Sequence, residues 1–200
     1  MIVVNSENVK ARIKKYYDRE AVVVYPPVEI VTVKNVGRKG YYVCLSRLAK
    51  QKGIDLAVKV CSKNKLPLVV VGDGDELGYL KKISGPTVKF IGNCDEEKKF
   101  EILSRAKALI YSSREEDFGI VPVEALKTGT PVIAYNSGGV RETVFDGKNG
   151  VMFNDYSEES LLEAIGRFNG IKISAEECKE SVEKFSSQNF REQIMNLIPE

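Results

Sequence analysis

The sequence contains no histidine among its 200 residues. Histidine is the most frequent general acid and base near neutral pH, and it is a frequent metal ligand. Its absence excludes serine–histidine and cysteine–histidine nucleophile systems, and histidine–zinc sites, from this chain. Any chemistry that the chain performs must therefore use carboxylates, lysine, arginine, backbone amides or groups supplied from elsewhere.

Cysteine is scarce and dispersed. The four cysteines form no C-x-x-C pair: Cys44, Cys61, Cys94 and Cys178. This spacing predicts neither a zinc knuckle nor a disulfide framework. Three of the four lie in or beside apolar segments, which predicts buried free thiols. This cysteine usage favours a reducing, cytoplasmic location.

Long apolar runs and an excess of one charge are also missing. No apolar segment reaches the length of a membrane span. Thirty basic residues are balanced by 28 acidic ones, which gives a net charge of +2. Such a balance does not predict nucleic acid as a partner.

Apolar strands alternate with amphipathic helices through most of the chain. Three further helical segments follow the last strand. This alternation predicts an α/β fold with a doubly wound, parallel, Rossmann-like sheet and additional C-terminal helices. In such a fold, ligands bind beyond the carboxyl ends of the strands. The predicted strands are residues 41–46, 66–71, 88–92, 108–112, 131–135 and 149–153.

The first 27 residues do not fit this alternation. Ser6 is a good cap for a basic helix that ends at Tyr17, and a strand and Pro26-Pro27 follow. Two consecutive prolines form a stiff, extended connector. We therefore predict that residues 1–27 are the tail of an earlier domain with its connector, that residues 28–186 form the Rossmann-like domain, and that residues 187–200 form a C-terminal helix.

Polar or glycine-rich segments follow five of the predicted strands. Because the carboxyl ends of parallel strands meet at one edge of the sheet, these segments are expected to converge. They are Ser46-Arg47-Leu48 with Lys52-Gly53, Gly72-Asp73-Gly74, Gly92-Asn93-Cys94, residues 114–119, and Ser137-Gly138-Gly139.

Two carboxylates stand out among these segments. Glu116 lies in a loop, and Glu124 lies roughly 9 Å further along the next helix. Together they could hold two parts of a polyhydroxyl ligand, while the amides of Phe118, Gly119 and Ile120 suit an anion at the helix start. Alternatively, Glu124 is a solvated helix residue and Glu116 only a cap. Spacing alone favours this alternative.

The other pairs are also open to two interpretations. Arg47 and Lys52 could neutralise a diphosphate, or they could be two surface bases. The Asp73-Gly74-Asp75 segment resembles a metal-binding D-x-D, but its glycines favour a tight turn, so no metal is predicted. Gly138-Gly139 would let the backbone approach a ligand closely, or would form a plain turn.

Several segments resemble, in order, the C-terminal, donor-binding domain of family 4 retaining glycosyltransferases of GT-B fold. They are SRLAKQKGIDLAV, LVVVGDGDE, VKFIGNCDEEK and the run from ALIYSSREEDFG to GVMF, and the match runs in order from about Tyr41 to Phe153. The most specific feature is the E-x7-E pattern of Glu116 and Glu124. Ser112 and Arg141 depart from the family, which often has proline at the first position and proline or alanine at the second.

The resemblance implies a role for each matching residue. Glu116 is expected to contact the donor hexose, and Glu124 the ribose hydroxyls. Arg47 and Lys52 are expected to bind the diphosphate as it leaves, which makes them the catalytic residues together with Glu116. The remaining donor contacts are expected from Gly92, Asn93 and Cys94 at the base, from the amides of Phe118, Gly119 and Ile120, and from Gly138 and Gly139.

The resemblance also implies partners. The donor would be a nucleotide diphosphate sugar, GDP- or UDP-linked, and no cofactor or metal is needed. The acceptor would bind to an N-terminal domain, in the same or another chain, which could also reach a membrane surface. The tyrosine–proline–proline connector and the EDFGI segment are similar to those of mannosyltransferases of surface-polysaccharide assembly, which points to GDP-mannose. The alternatives are a dehydrogenase-like dinucleotide domain, whose glycine loop is absent after the first strand, and a non-catalytic nucleotide-binding or regulatory module.

Overall fold

A parallel six-stranded sheet forms the centre of the computed structural model, which describes residues 1–31, 37 and 40–198. Two further strands near the N-terminus form a separate parallel pair. In chain order the strands are β1 (Val3–Val4), β2 (Val22–Val23), β3 (Tyr42–Leu45), β4 (Leu68–Val71), β5 (Val88–Gly92), β6 (Ala108–Tyr111), β7 (Val132–Tyr135) and β8 (Gly150–Phe153).

The order of strands in the central sheet is β5-β4-β3-β6-β7-β8. The chain starts in the middle at β3, adds β4 and β5 on one side, and then returns to add the others on the opposite side. The strand order therefore reverses between β3 and β6, and a crevice opens beyond the carboxyl ends of these two strands. This arrangement confirms the predicted doubly wound parallel sheet.

Helices connect and flank these strands, and those that pack on the sheet present an apolar side to it. Helix α2, for example, buries Ile54, Ala57 and Cys61 on one side. Every position of β6 is buried, as expected for a parallel strand in the middle of a sheet. The helices are α1 (Glu7–Tyr17), α2 (Ile54–Lys63), α3 (Leu77–Ile83), α4 (Glu96–Arg105), α5 (Ile120–Lys127), α6 (Glu158–Gly170), α7 (Ala175–Glu180) and α8 (Ser187–Met195).

The N-terminal residues form a small β1-α1-β2 unit. Ser6 caps α1 as predicted, since its Oγ accepts a hydrogen bond from the backbone N–H of Val9 at 3.0 Å. None of the described residues of α1 or α8 is buried, so both helices lie on the surface of the domain. The pairing of β1 with β2 was not predicted, because a strand of two residues gives no periodic pattern.

An aromatic cluster joins three segments that are far apart in the sequence. The rings of Tyr25, Phe118 and Phe185 lie with their centroids 5.1–5.8 Å apart. Phe118 is 2% exposed and Phe185 is 1% exposed. Phe185 packs edge-to-face against both other rings, and such packing stabilises a core beyond the area that it buries. The connector, the loop before α5 and the C-terminal segment therefore share one apolar contact.

The predicted domain boundaries remain a prediction. The last helix, α8, spans Ser187–Met195, and residues 199 and 200 lie outside the described residues. Residues 32–36, 38 and 39 of the predicted central domain also lie outside them. No helix in the described part of the chain is long and apolar enough to cross a membrane.

Candidate functional site

The loops that follow β3 and β6 meet at the point where the strand order reverses. The hydroxyl of Ser112 donates to the carbonyl of Gly53 at 2.7 Å, which holds the two loops together. Gly53 has φ +63°, and a Cβ there would lie 2.0 Å from the hydroxyl oxygen of Tyr156. Only glycine allows this close approach. Ser112, where the resemblance led us to expect proline, thus has a structural role here.

Lys52 and Glu116 form an ion pair across these two loops. Their side chains are 28% and 18% exposed, so water only partly screens the charges. The hydroxyl of Ser113 also donates to the same carboxylate oxygen, Oε1 of Glu116, at 2.9 Å. The structure therefore brings together, at the crevice, two of the candidate site residues named from the sequence, the cation Lys52 and the carboxylate Glu116.

A first cleft of about 360 Å³ and a second of about 330 Å³ both include Glu116 in their walls. The second cleft contains Lys52 and the segment Phe118-Gly119-Ile120 at the start of α5. The first amides of a helix have no partner inside the helix and favour negatively charged groups. The phenyl ring of Phe118 is buried in the aromatic cluster, so the backbone of this residue is the part that a ligand could contact.

Tyr111, at the end of β6, also lines the second cleft. Burial raises the pKa of the Tyr111 hydroxyl well above its usual range, and the charge and hydrogen bonding of Glu116 add to the effect. The neutral hydroxyl is thus strongly favoured beside the carboxylate.

A third cleft, of about 410 Å³, lies beyond the ends of β3, β4 and β5. Its lining includes Arg47, Asn93, Cys94 and Lys99. Arg47 is exposed and forms no ion pair with any residue that the structure describes. Burial raises the pKa of the Cys94 thiol, which favours its neutral form. Ser46 borders both this cleft and the second one, so the two are neighbours.

Glu124 reaches the third cleft through Lys99. The Lys99 Nζ donates to Oε1 of Glu124 at 2.8 Å, and the Glu124 side chain is only 12% exposed. The alternative that Glu124 is a solvated helix residue is therefore wrong. Lys99 is a residue that sequence reasoning missed, because a lysine on a strongly charged amphipathic helix gives no local sign of its partner. The available signal was its position three and four residues before the buried Ile102 and Leu103.

Gly138 and Gly139 approach the backbone of the loop that carries Glu116. A Cβ at Gly138 would lie 2.5 Å from the carbonyl oxygen of Glu116, and one at Gly139 would lie 2.2 Å from that of Asp117. The close approach seen in the structure is thus to the loop. A direct contact of the two glycines with a donor remains a prediction.

The remaining sequence candidates also lie near these clefts. Gly92 ends β5, and its carbonyl accepts from the backbone N–H of Gly72 at 2.8 Å. Asp73 and Asp75 lie in the turn before α3, where the Asp73 carboxylate accepts from the backbone N–H of Gly74 at 2.7 Å. Cys44, Cys61 and Cys178 are buried, as predicted.

Glu142 is a second residue that the sequence analysis missed. Its carboxylate accepts hydrogen bonds from the backbone N–H groups of Glu7 and Asn8 and from the hydroxyl of Tyr25, at 2.9–3.0 Å. The Ser6 hydroxyl donates to the carbonyl of Asp117 at 2.5 Å. The N-terminal unit therefore rests directly on the loop that carries the site.

Comparison with known proteins agrees with this geometry. The fold is that of the Rossmann-like domains of GT-B type proteins: a sucrose-phosphate synthase from Thermosynechococcus elongatus superposes with a TM-score of 0.85 at 23% identity, over 98% of this chain and 56% of that one. Residues 29–185 match the family described as glycosyl transferases group 1. The chain belongs to this family and corresponds to the C-terminal domain of its GT-B type members.

Two curated relatives are similar over most of the chain. An uncharacterized glycosyltransferase of Methanocaldococcus jannaschii is 28% identical over 197 aligned residues, with 92% of this chain and 55% of the relative covered. The alpha-1,3/1,6-mannosyltransferase of Saccharomyces cerevisiae is 28% identical over 199 residues, with 72% of this chain and 40% of the relative covered. The chain thus spans about half the length of these relatives.

Proposed function

We propose that this chain is the donor-binding half of a retaining, family 4 glycosyltransferase, which transfers a hexosyl unit from a nucleotide diphosphate sugar. The observation that carries this proposal is the Lys52–Glu116 ion pair at the reversal of the strand order. A cation suited to phosphate and a carboxylate suited to sugar hydroxyls lie side by side there, and the start of α5 adds free amides.

The diphosphate would bind between Lys52 and Arg47. These residues border neighbouring clefts that share Ser46. As the bond to the sugar breaks, negative charge grows on the departing diphosphate. Two cations and the amides of Gly119 and Ile120 would stabilise that charge, because they are held in place before the reaction starts. No side chain of this chain is then required to act as a histidine would.

The nucleoside would occupy the third cleft. The backbone of Gly92 and the Asn93-Cys94 turn would face the base, while the buried Glu124 would accept hydrogen bonds from the ribose. The hexose would lie in the second cleft against Glu116. This placement gives each end of the donor a carboxylate and its middle two cations.

The whole enzyme would also contain an acceptor-binding domain, in the same or a partner chain. The relatives are about twice as long as this chain, and two features of the N-terminal unit support such a neighbour. Its two-stranded sheet is smaller than a stable independent sheet, and Val3 and Val22 are 42% and 41% exposed. We propose that residues 1–27 belong to the end of that domain. Any contact with a membrane surface on the cytoplasmic side would be made by that domain.

The donor sugar is proposed to be mannose, carried by GDP. The similarity to the yeast mannosyltransferase and the likeness of the connector to mannosyltransferases of surface-polysaccharide assembly support this choice. UDP-linked hexoses are the second group of donors to test.

A thermal-shift screen tests the proposal. A ligand that binds only the folded state raises the apparent melting temperature as its concentration increases. We expect GDP or UDP and their sugars to raise it, and NAD to have no effect. A shift with NAD alone would indicate a dinucleotide domain, and no shift with any nucleotide would indicate a non-catalytic module.

The variant Glu116→Gln sharpens the screen. It should keep the shift produced by the nucleotide diphosphate and lose the additional shift produced by its sugar. Glu115→Gln, one residue away in the same loop, is the matched control and should keep both. Equal behaviour of the two variants would contradict the role of Glu116.

A further inference from the structure

Lys99 lies among three groups that define its environment. Its Nζ is 2.8 Å from Oε1 of Glu124, 3.3 Å from Oε1 of Glu96 and 4.4 Å from the centroid of the Phe100 ring. The side chain is 18% exposed, whereas that of Glu96 is 73% exposed. Glu124 is therefore the enclosed partner, and Glu96 is the solvated one.

The charge of this lysine is maintained despite its burial. Burial by itself lowers the pKa of Lys99, but the hydrogen bonds and charges of Glu124 and Glu96 outweigh it, so the pKa is raised. An ammonium group has three N–H donors. Two of them are accounted for by the two glutamates, which leaves one for the cleft that Lys99 lines.

The carboxylate of Glu124 is divided in a corresponding way. Its Oε1 accepts from Lys99, while Oε2 forms no hydrogen bond with any residue that the structure describes. The pair thus offers one donor, on Nζ of Lys99, and one acceptor, on Oε2 of Glu124. A vicinal diol has the complementary pattern, since one hydroxyl donates and its neighbour accepts.

We propose that Lys99 is a positioning and specificity-determining residue, which orients Glu124 so that the pair recognises the two hydroxyls of a ribose together. This inference rests on the proposed function, because it assigns the nucleoside to the third cleft. Lys99 would act on Glu124 by fixing Oε1, and on the diol by its remaining N–H. Selection against deoxyribonucleotides would follow, since each missing hydroxyl leaves one of these buried groups without a partner.

The test compares affinities for GDP and UDP with those for their 2′-deoxy and 3′-deoxy forms, on the full chain. We expect each deoxy form to bind the wild-type chain about tenfold more weakly, the loss typical of one hydrogen bond to a charged group. In Lys99→Met this ratio should fall towards one for both forms. Lys98→Met is the matched control, because Lys98 is the neighbouring residue with a side chain that is 51% exposed, and it should keep the ratio.

A double-mutant cycle separates positioning from general destabilisation. If Lys99 acts together with Glu124, Lys99→Met should change the ratio no further in a Glu124→Gln background. Lys99→Gln, which is shorter and uncharged, provides a second variant if Lys99→Met does not fold. It should at least halve the ratio.

The outcomes distinguish the two levels of the proposal. No nucleotide binding by the wild-type chain would overturn the proposed function. Binding with equal affinity for ribose and deoxyribose forms would overturn the assignment of Glu124 to the ribose. A wild-type ratio that folded Lys99 variants leave unchanged would overturn the inference about Lys99 alone.

Discussion

Oε1 of Glu142 accepts a hydrogen bond from the backbone N–H of Asn8 at 3.0 Å, although the two residues are 134 positions apart. The same carboxylate also accepts from Glu7 and Tyr25. A carboxylate at the start of a helix accepts hydrogen bonds from backbone N–H groups that have no partner inside the helix, and its charge complements the helix dipole. One side chain of the central domain therefore caps α1, in addition to the local cap Ser6.

The first prediction follows from this contact. Glu142→Ala should lower the free energy of unfolding by about 1.5–3 kcal/mol, because it removes hydrogen bonds to a charged group. Hydrogen exchange should become faster for the amides of α1, more than for those of the central sheet. Glu163→Ala, an exposed change within α6, should alter neither quantity. Unchanged exchange in α1 would show that the cap is not needed to hold the helix.

The second prediction concerns Arg47 and Lys52. Changing either to alanine should weaken binding of a nucleoside diphosphate more than that of the monophosphate, and added salt should reduce the difference. Lys52→Ala should also lower the melting temperature, since it leaves the Glu116 carboxylate without its cation. Arg47→Ala should not, because Arg47 has no such partner among the residues that the structure describes. The control Lys50→Ala, in the same loop, should retain diphosphate affinity, and equal losses for all ligands would contradict these roles.

The third prediction compares a glycine in a crowded environment, Gly139, with one next to open space, Gly166. Gly139→Ala places a Cβ 2.2 Å from the Asp117 carbonyl oxygen, so the loop must shift, and we expect destabilisation of about 1–3 kcal/mol. Gly166→Ala places its Cβ in open space at an exposed position of α6, and we expect stabilisation by about 0.5–1 kcal/mol. Urea unfolding of both variants checks the sign of each change. Stability of Gly139→Ala equal to the wild type would mean that the loop has room to move.

The fourth prediction concerns alkaline pH. The folded-state pKa of Tyr111 is raised above its unfolded value of about 10, so its stabilising contribution is complete below pH 10. Above that pH the unfolded chain loses the proton first, and the free energy of unfolding should fall by about 1.4 kcal/mol per pH unit from this residue. Tyr111→Phe should remove this part of the slope. Between pH 6 and 9 the difference between the two proteins should stay constant, and a parallel decline above pH 10 would refute the assignment.

The fifth prediction concerns catalysis. The chain alone should bind a nucleotide diphosphate and transfer no sugar, because donor and acceptor must be held together for an efficient reaction. A transfer assay with labelled donor, run with and without an added N-terminal domain from a relative, measures this. Robust transfer by the chain alone would show that it already contains an acceptor site.

Much of the fold could be predicted because buried parallel strands leave a local pattern. The strand predicted over 88–92 was found with the same bounds, and Ser6 caps its helix as expected. The pairing of Val3–Val4 with Val22–Val23 could not be predicted. It depends on contacts with the rest of the chain, and two residues carry no periodicity.

The candidate site, like the fold, could be predicted from the sequence only in part. The loops that carry Arg47, Lys52 and Glu116 were expected at one edge of the sheet, since strand ends are fixed by the strands themselves. The partner of each charge was not predictable, because a side-chain pair between Lys99 and Glu124 depends on how α4 and α5 pack. Glu142 was missed for the same reason, as its partners lie more than a hundred residues away.

The Lys52–Glu116 pair has a further consequence for selectivity. In the proposed site these two charges already satisfy each other, so a ligand must exchange partners with both. A nucleoside diphosphate alone would bind Lys52 and leave the partly buried carboxylate of Glu116 without a cation. A free sugar would bind Glu116 and leave Lys52 without an anion. Only a molecule that joins phosphate to a hydroxyl-rich ring answers both charges at once. The ion pair would thus favour binding of the intact donor over binding of either product of the reaction.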